Sequence, residues 1–103
     1  MKRVLLTIAA LTAVAAASPA MADEAMAKAK NCMACHSVDK KVVGPSYKDV
    51  AKKFGAQAGA ADMLAEKIMK GSSGTWGPVP MPPNTNVSAA EAKSLATWIL
   101  SLK

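Results

Sequence analysis

Apolar residues recur at helical spacing in two clear stretches of the chain. Tyr47, Val50, Ala51 and Phe54 fall at i, i+3, i+4 and i+7, which places one apolar face on a short helix. Ser46 stands where a side chain would cap that helix, with Asp49 three residues on, and Gly55 occupies the position of a terminating glycine. Leu95, Trp98, Ile99 and Leu102 form the second stripe, on a helix expected over residues 88–101 and opened by the capping box Ser88-Ala89-Ala90-Glu91. Between them, residues 60–70 read as a further helix. Asp62 lies in its first turn, Lys67 and Lys70 lie near its last, and Gly71 follows, a charge order that suits the helix dipole. Residues 24–33 are rich in Ala and Lys and predict a first helix. Residues 37–46 read as a loop ending Gly44-Pro45-Ser46. Residues 71–87 carry four prolines and three glycines, which excludes a regular helix. No run alternates at period two. The pattern therefore predicts an all-α chain of about four helices with one structured, proline-rich loop.

The first 22 residues stand apart. Lys2 and Arg3 precede an apolar run over residues 4–17, and Ser18-Pro19-Ala20-Met21-Ala22 supplies small residues at A-x-A spacing. This is the layout of a secretory signal peptide cleaved after Ala22, leaving one domain over residues 23–103. A membrane anchor needs roughly 20 apolar residues, and this run is shorter. The remaining part holds 11 lysines, seven acids and no arginine, a formal charge of +4. A modest positive charge suits docking on acidic protein surfaces. A nucleic-acid role fits poorly, because the lysines are scattered and no arginine cluster exists. The expected location is the periplasm.

A domain of this size rarely builds enough core alone and usually carries a staple. The chain has one Tyr, one Phe, two Trp and only two cysteines, so a disulfide framework is not available. The cysteines form Cys32-Met33-Ala34-Cys35-His36, and C-x-x-C-H is the attachment motif of c-type haem. Thiols three apart at a helix end can both reach the vinyl groups of one porphyrin edge. The adjacent His36 can present a nitrogen to iron. Three other uses compete. A redox dithiol normally sits in a βαβ setting. A zinc site would need more soft ligands, and His36 is the sole histidine. A structural disulfide closing so small a loop would gain little.

If haem is held, the single histidine rules out bis-His ligation within the chain, and methionine is the expected sixth ligand, one that also raises the reduction potential. Met26, Met63 and Met69 fall in helical segments, where filling the core is the ordinary role. Met33 lies inside the attachment motif, too close to His36. Met81 sits in Pro78-Val79-Pro80-Met81-Pro82-Pro83, where prolines restrict the backbone around one soft donor. Met81 is the candidate, against the alternative of a methionine packed under a loop.

The order C-x-x-C-H, VGPSYKDVAKKF, GTWGPVPMPPN and EAKSLATWILSLK closely resembles the small bacterial class I cytochromes c of the c-551/c-552 type, over nearly all of residues 23–103. The resemblance implies four helices wrapped around one covalently attached haem c, with the first and last helices crossing. It implies that the Pro45 carbonyl accepts from the Nδ1–H of His36, which would orient the ring. It also implies that the Trp76 indole reaches a haem propionate and that the Asn84 amide tunes the methionine sulfur. Members often carry a propionate-binding arginine where this chain has Lys67, and lysine cannot make the planar forked contact.

The resemblance further implies a one-electron carrier, not an enzyme, serving periplasmic redox proteins. These are a terminal reductase, usually nitrite reductase, or an oxidase downstream, and a membrane cytochrome complex upstream. A monomer is the default, without stable membrane insertion. Lys28, Lys30, Lys40, Lys41, Lys48, Lys52 and Lys53 would form a weakly basic rim for encounter. The alternative is a haem enzyme or gas sensor whose sixth ligand is easily displaced.

Overall fold

The computed structural model describes residues 22–102. The expected leader falls almost wholly on residues 1–21, outside the described residues. Four α-helices follow in order: α1 (Glu24–Ala29), α2 (Tyr47–Phe54), α3 (Ala60–Lys70) and α4 (Ala89–Leu100). Among the described residues there is no strand, only two isolated bridges, His36–Lys41 and Ser72–Met81.

Local chemistry explains most boundaries. Asp23 caps α1 by accepting from the Met26 N–H. Ser46 caps α2 by accepting from the Asp49 N–H at 3.1 Å. Both halves of the capping box open α4: Ser88 Oγ accepts from the Glu91 N–H, and the Glu91 carboxylate accepts from the Ser88 N–H.

Two boundaries differ from expectation. The first helix stops at Ala29, well short of residue 33, because Asn31 takes a left-handed conformation with φ 63°. Asparagine tolerates this better than other side chains, and a 3₁₀ turn over Cys32–Ala34 follows. Gly55 does end α2, but in a right-handed conformation (φ −60°) with its N–H on the Ala51 carbonyl. Its conformational freedom is not what stops the helix.

α4 is the spine of the packing and lies against both α2 and α3. The predicted faces turn inward: Tyr47, Val50, Ala51 and Phe54 on α2 and Leu95 and Ile99 on α4 are buried, while Trp98 and Leu102 are half-buried against them. Leu64, Ala65 and Ile68 of α3 complete the core. α1 is tied to α4 through Lys30, whose Nζ donates to the Asn86 carbonyl and pairs with Glu91 at 3.1 Å. This arrangement leaves the space between α2, α3 and α4 to be closed by the two long loops.

Candidate functional site

The 3₁₀ turn folds the attachment motif on itself. The N–H groups of Cys35 and His36 both donate to the Cys32 carbonyl, at 3.2 and 3.0 Å. The loop that follows returns to lie on the motif. Gly44 donates to the Cys35 carbonyl at 2.8 Å, and Tyr47 donates to the Ser37 carbonyl at 2.9 Å. Cys32, Cys35 and His36 therefore line one cleft, and neither cysteine is in a disulfide.

His36 is fixed from three directions. Its Nδ1 lies 2.8 Å from the Pro45 carbonyl oxygen. A carbonyl can only accept, so Nδ1 carries the hydrogen and Nε2 keeps a free lone pair, the arrangement that suits a metal ligand. The Tyr47 ring stacks on the imidazole, with centroids 5.1 Å apart and planes at 22°. Tyr47 is held in turn by the edge of Trp98 at 5.5 Å. On the third side sits Gly44, where an added Cβ would stand 2.5 Å from His36 Cε1 and 2.9 Å from Nδ1. The ring and the loop backbone touch because nothing intervenes.

Met81 reaches the same cleft from the proline-rich loop. Ser72 and Met81 exchange backbone hydrogen bonds in both directions, at 3.0 and 2.8 Å. This pins the loop to the end of α3. Asn84 has a different partner from the one expected. Its side-chain amide and its backbone N–H both donate to the Ile68 carbonyl, at 2.8 and 3.1 Å, and it is not among the cleft-lining residues. An α-helix leaves its last carbonyls unpaired, and Asn84 satisfies one of them.

The cleft is open at its mouth and is walled by α2, α3, α4 and both long loops. Its floor is apolar: Val50 and Phe54 from α2, Leu64 and Ile68 from α3, Leu95 and Ile99 from α4. Trp76 and Lys67 line it too. Trp76 packs edge-on against Phe54, with the Lys53 ammonium 5.0 Å from its ring centre.

An apolar floor with Lys41 and Lys67 in the wall suits a flat apolar group with an anionic edge. One imidazole nitrogen and one thioether are a donor set suited to haem iron, and two unpaired thiols beside the imidazole suit covalent attachment. The competing uses fare worse. Among the described residues no group of three His, Cys, Asp or Glu gathers to hold a metal ion. Burial pushes the Cys32 thiol above its ordinary pKa, and the βαβ setting usual for a redox dithiol is missing from the described residues, which hold no strand. Burial raises the Tyr47 phenol as well, with the neighbouring Cys32 adding to it.

Tyr47, Gly44, Gly71 and Ser72 belong to this site and were not singled out from the sequence. Tyr47 stood in the apolar stripe of α2, and the glycines read as turn punctuation. The available signal is position: Gly44 lies within the Val43-Gly44-Pro45 segment that follows C-x-x-C-H, and Tyr47 stands two residues beyond it.

The family described as Cytochrome c matches residues 21–103. Cytochrome c-552 of Nitrosomonas europaea is 54% identical over 103 residues, covering 100% of both chains. Cytochrome c-551 of Pseudomonas aeruginosa is 59% identical over 80 residues, 78% of this chain and 76% of that one. The crystal structure of wild-type Nitrosomonas europaea cytochrome c552 is similar with a TM-score of 0.77 and 59% identity, over 79% of this chain and 100% of that one. The chain belongs to the cytochrome c family. Within it, the chain is a small monohaem class I cytochrome c, an electron carrier with one covalently attached haem c and redox proteins as partners.

Proposed function

We propose that Cys32 and Cys35 hold the haem through thioether bonds and that His36 Nε2 and Met81 Sδ are its axial ligands. The observation that carries this reading is the shared cleft. An imidazole whose Nδ1–H is spent on Pro45 lies beside two unbridged cysteines, and a methionine pinned by Ser72 lines the same space. When bound, the haem supplies an iron centre that gains or loses one electron. The residues do the rest. Pro45, Tyr47 and Gly44 hold the imidazole in one orientation. The apolar residues of α2, α3 and α4 exclude water. Lys67 and the Trp76 indole are the candidates for the carboxylate edge. Asn84 serves Met81 from a distance, by fixing the start of the next segment to α3.

The mature domain, residues 23–103 after removal of a leader ending at Ala22, works in the periplasm. It carries electrons from a membrane cytochrome complex to a terminal reductase such as nitrite reductase, or to an oxidase, and is not itself an enzyme. Support comes from the sequence of residues 1–22. It comes also from the cations at the cleft, Lys41 and Lys67, with Lys53 beside Trp76. As an iron ligand, His36, the sole histidine, is not free for acid–base work.

Met81→Ala tests the ligand assignment. Haem stays attached, and CO and cyanide bind near neutral pH. The potential falls by a measurable part of the roughly 0.8 V range that axial ligation spans. An unchanged potential contradicts the assignment.

A further inference from the structure

Gly71 ends α3, and its N–H donates to the Lys67 carbonyl at 2.8 Å. Its backbone then turns to φ 79°, ψ 175°, a region open essentially to glycine alone. What lies against it is the ligand loop. A Cβ at this position would collide with the Met81 carbonyl oxygen and would stand 3.0 Å from Pro83 N and 3.1 Å from Pro82 C. All three are backbone atoms, so no rotamer change relieves the contact. The next residue, Ser72, makes the paired hydrogen bonds to Met81. Two prolines follow Met81 and leave the segment little freedom to bend locally. A push at residue 71 therefore displaces the Met81 backbone together with the segment behind it.

We infer that Gly71 is a positioning residue for the sixth ligand: the missing side chain sets how closely Met81 is drawn to α3, and so where its sulfur stands in the cleft. The inference rests on reading Met81 as that ligand. Gly59 supplies the control, since it also has positive φ (74°) and begins the same helix, but a Cβ there meets nothing within 4 Å.

The experiment compares Gly71→Ala, Gly59→Ala and Met81→Ala as haem proteins, reading the sulfur-to-iron absorption band, the reduction potential, cyanide affinity and the melting curve. Gly71→Ala is expected to keep its haem, weaken the band, lower the potential and tighten cyanide binding by about tenfold or more. Gly59→Ala is expected to lower the melting temperature and leave the band and potential alone. Added to Met81→Ala, Gly71→Ala is expected to move the potential no further, because the sulfur it positions is gone. Should Gly71→Ala accumulate poorly, its band and potential are read at low temperature on the haem-bearing fraction, where native values still overturn the inference.

A Gly71 variant with native band and potential overturns the inference, as does a loss shared equally by Gly59→Ala or a shift that adds to Met81→Ala. Those outcomes leave the ligand assignment standing if Met81→Ala alone lowers the potential. If it does not, the assignment itself falls.

Discussion

Gly44 and His36 are in contact across a gap that admits no side chain. Gly44→Ala forces either the imidazole or the loop to move, and the loop is tied down by the Gly44–Cys35 hydrogen bond. Overpacking of this kind costs about 1–3 kcal/mol. The expected result is a lower melting temperature together with a changed low-spin haem spectrum, since the ring shifts off the Pro45 carbonyl. A variant that melts lower with an unaltered spectrum would show that the loop moved instead. At this scale the sequence was informative where chemistry is local. Cys32, Cys35 and His36 are adjacent, and Met81 emerged by elimination among few methionines. It was silent where the role is an absence: nothing in the letters distinguishes Gly44 and Gly71, which neighbours crowd, from Gly59, which meets open space. Asn84 illustrates the converse. Its place beside the ligand loop was legible, but its hydrogen-bond partner depends on where α3 ends in space.

Among the elements, α4 rests on its first turn. Ser88 and Glu91 satisfy each other's backbone donors, and Lys30 joins the same carboxylate from the end of α1. Ser88→Ala should cost about 1 kcal/mol, a fall in melting temperature of roughly 4–8 °C for a domain of this size. The pH dependence follows from Glu91, whose carboxyl is held below its ordinary pKa of 4.5 by the Ser88 N–H first and by Lys30 second. A lowered folded-state pKa stabilises above the ordinary value and loses that contribution as pH falls through the lowered one. The melting difference between the native chain and Glu91→Gln should thus be full near neutrality and shrink below about pH 4.5. A difference that stays constant into acid would remove the charge from the account. The helices themselves were legible because their apolar period and caps are short-range signals. The early end of α1 was not, because Ala- and Lys-rich sequence favours continuing, and the left-handed turn at Asn31 has no short-range signal beyond the asparagine itself.

For the whole molecule, the notable feature is that the core is built around a cleft. Leu64, Ile68, Leu95 and Ile99 are buried and also line it. With four aromatic residues in the chain, little is available to fill that space, so the haem is expected to supply part of the core. Replacing both Cys32 and Cys35 by Ala should therefore abolish covalent haem and the cooperative thermal transition together, as read by circular dichroism. A double variant that still melts cooperatively would show that the helices hold one another without the cofactor.

We propose a six-coordinate haem attached to Cys32 and Cys35, with nitrogen from His36 and sulfur from Met81. The most direct measurement is the absorption spectrum of the periplasmically expressed protein, oxidised and reduced, with extraction into acidic acetone. The expected result is haem that does not extract, sharp low-spin bands in both states, and a far-red sulfur-to-iron band that disappears on reduction. Covalent haem with high-spin bands would contradict it: the sixth site would be open, and an enzyme or gas sensor would describe the chain better than a carrier.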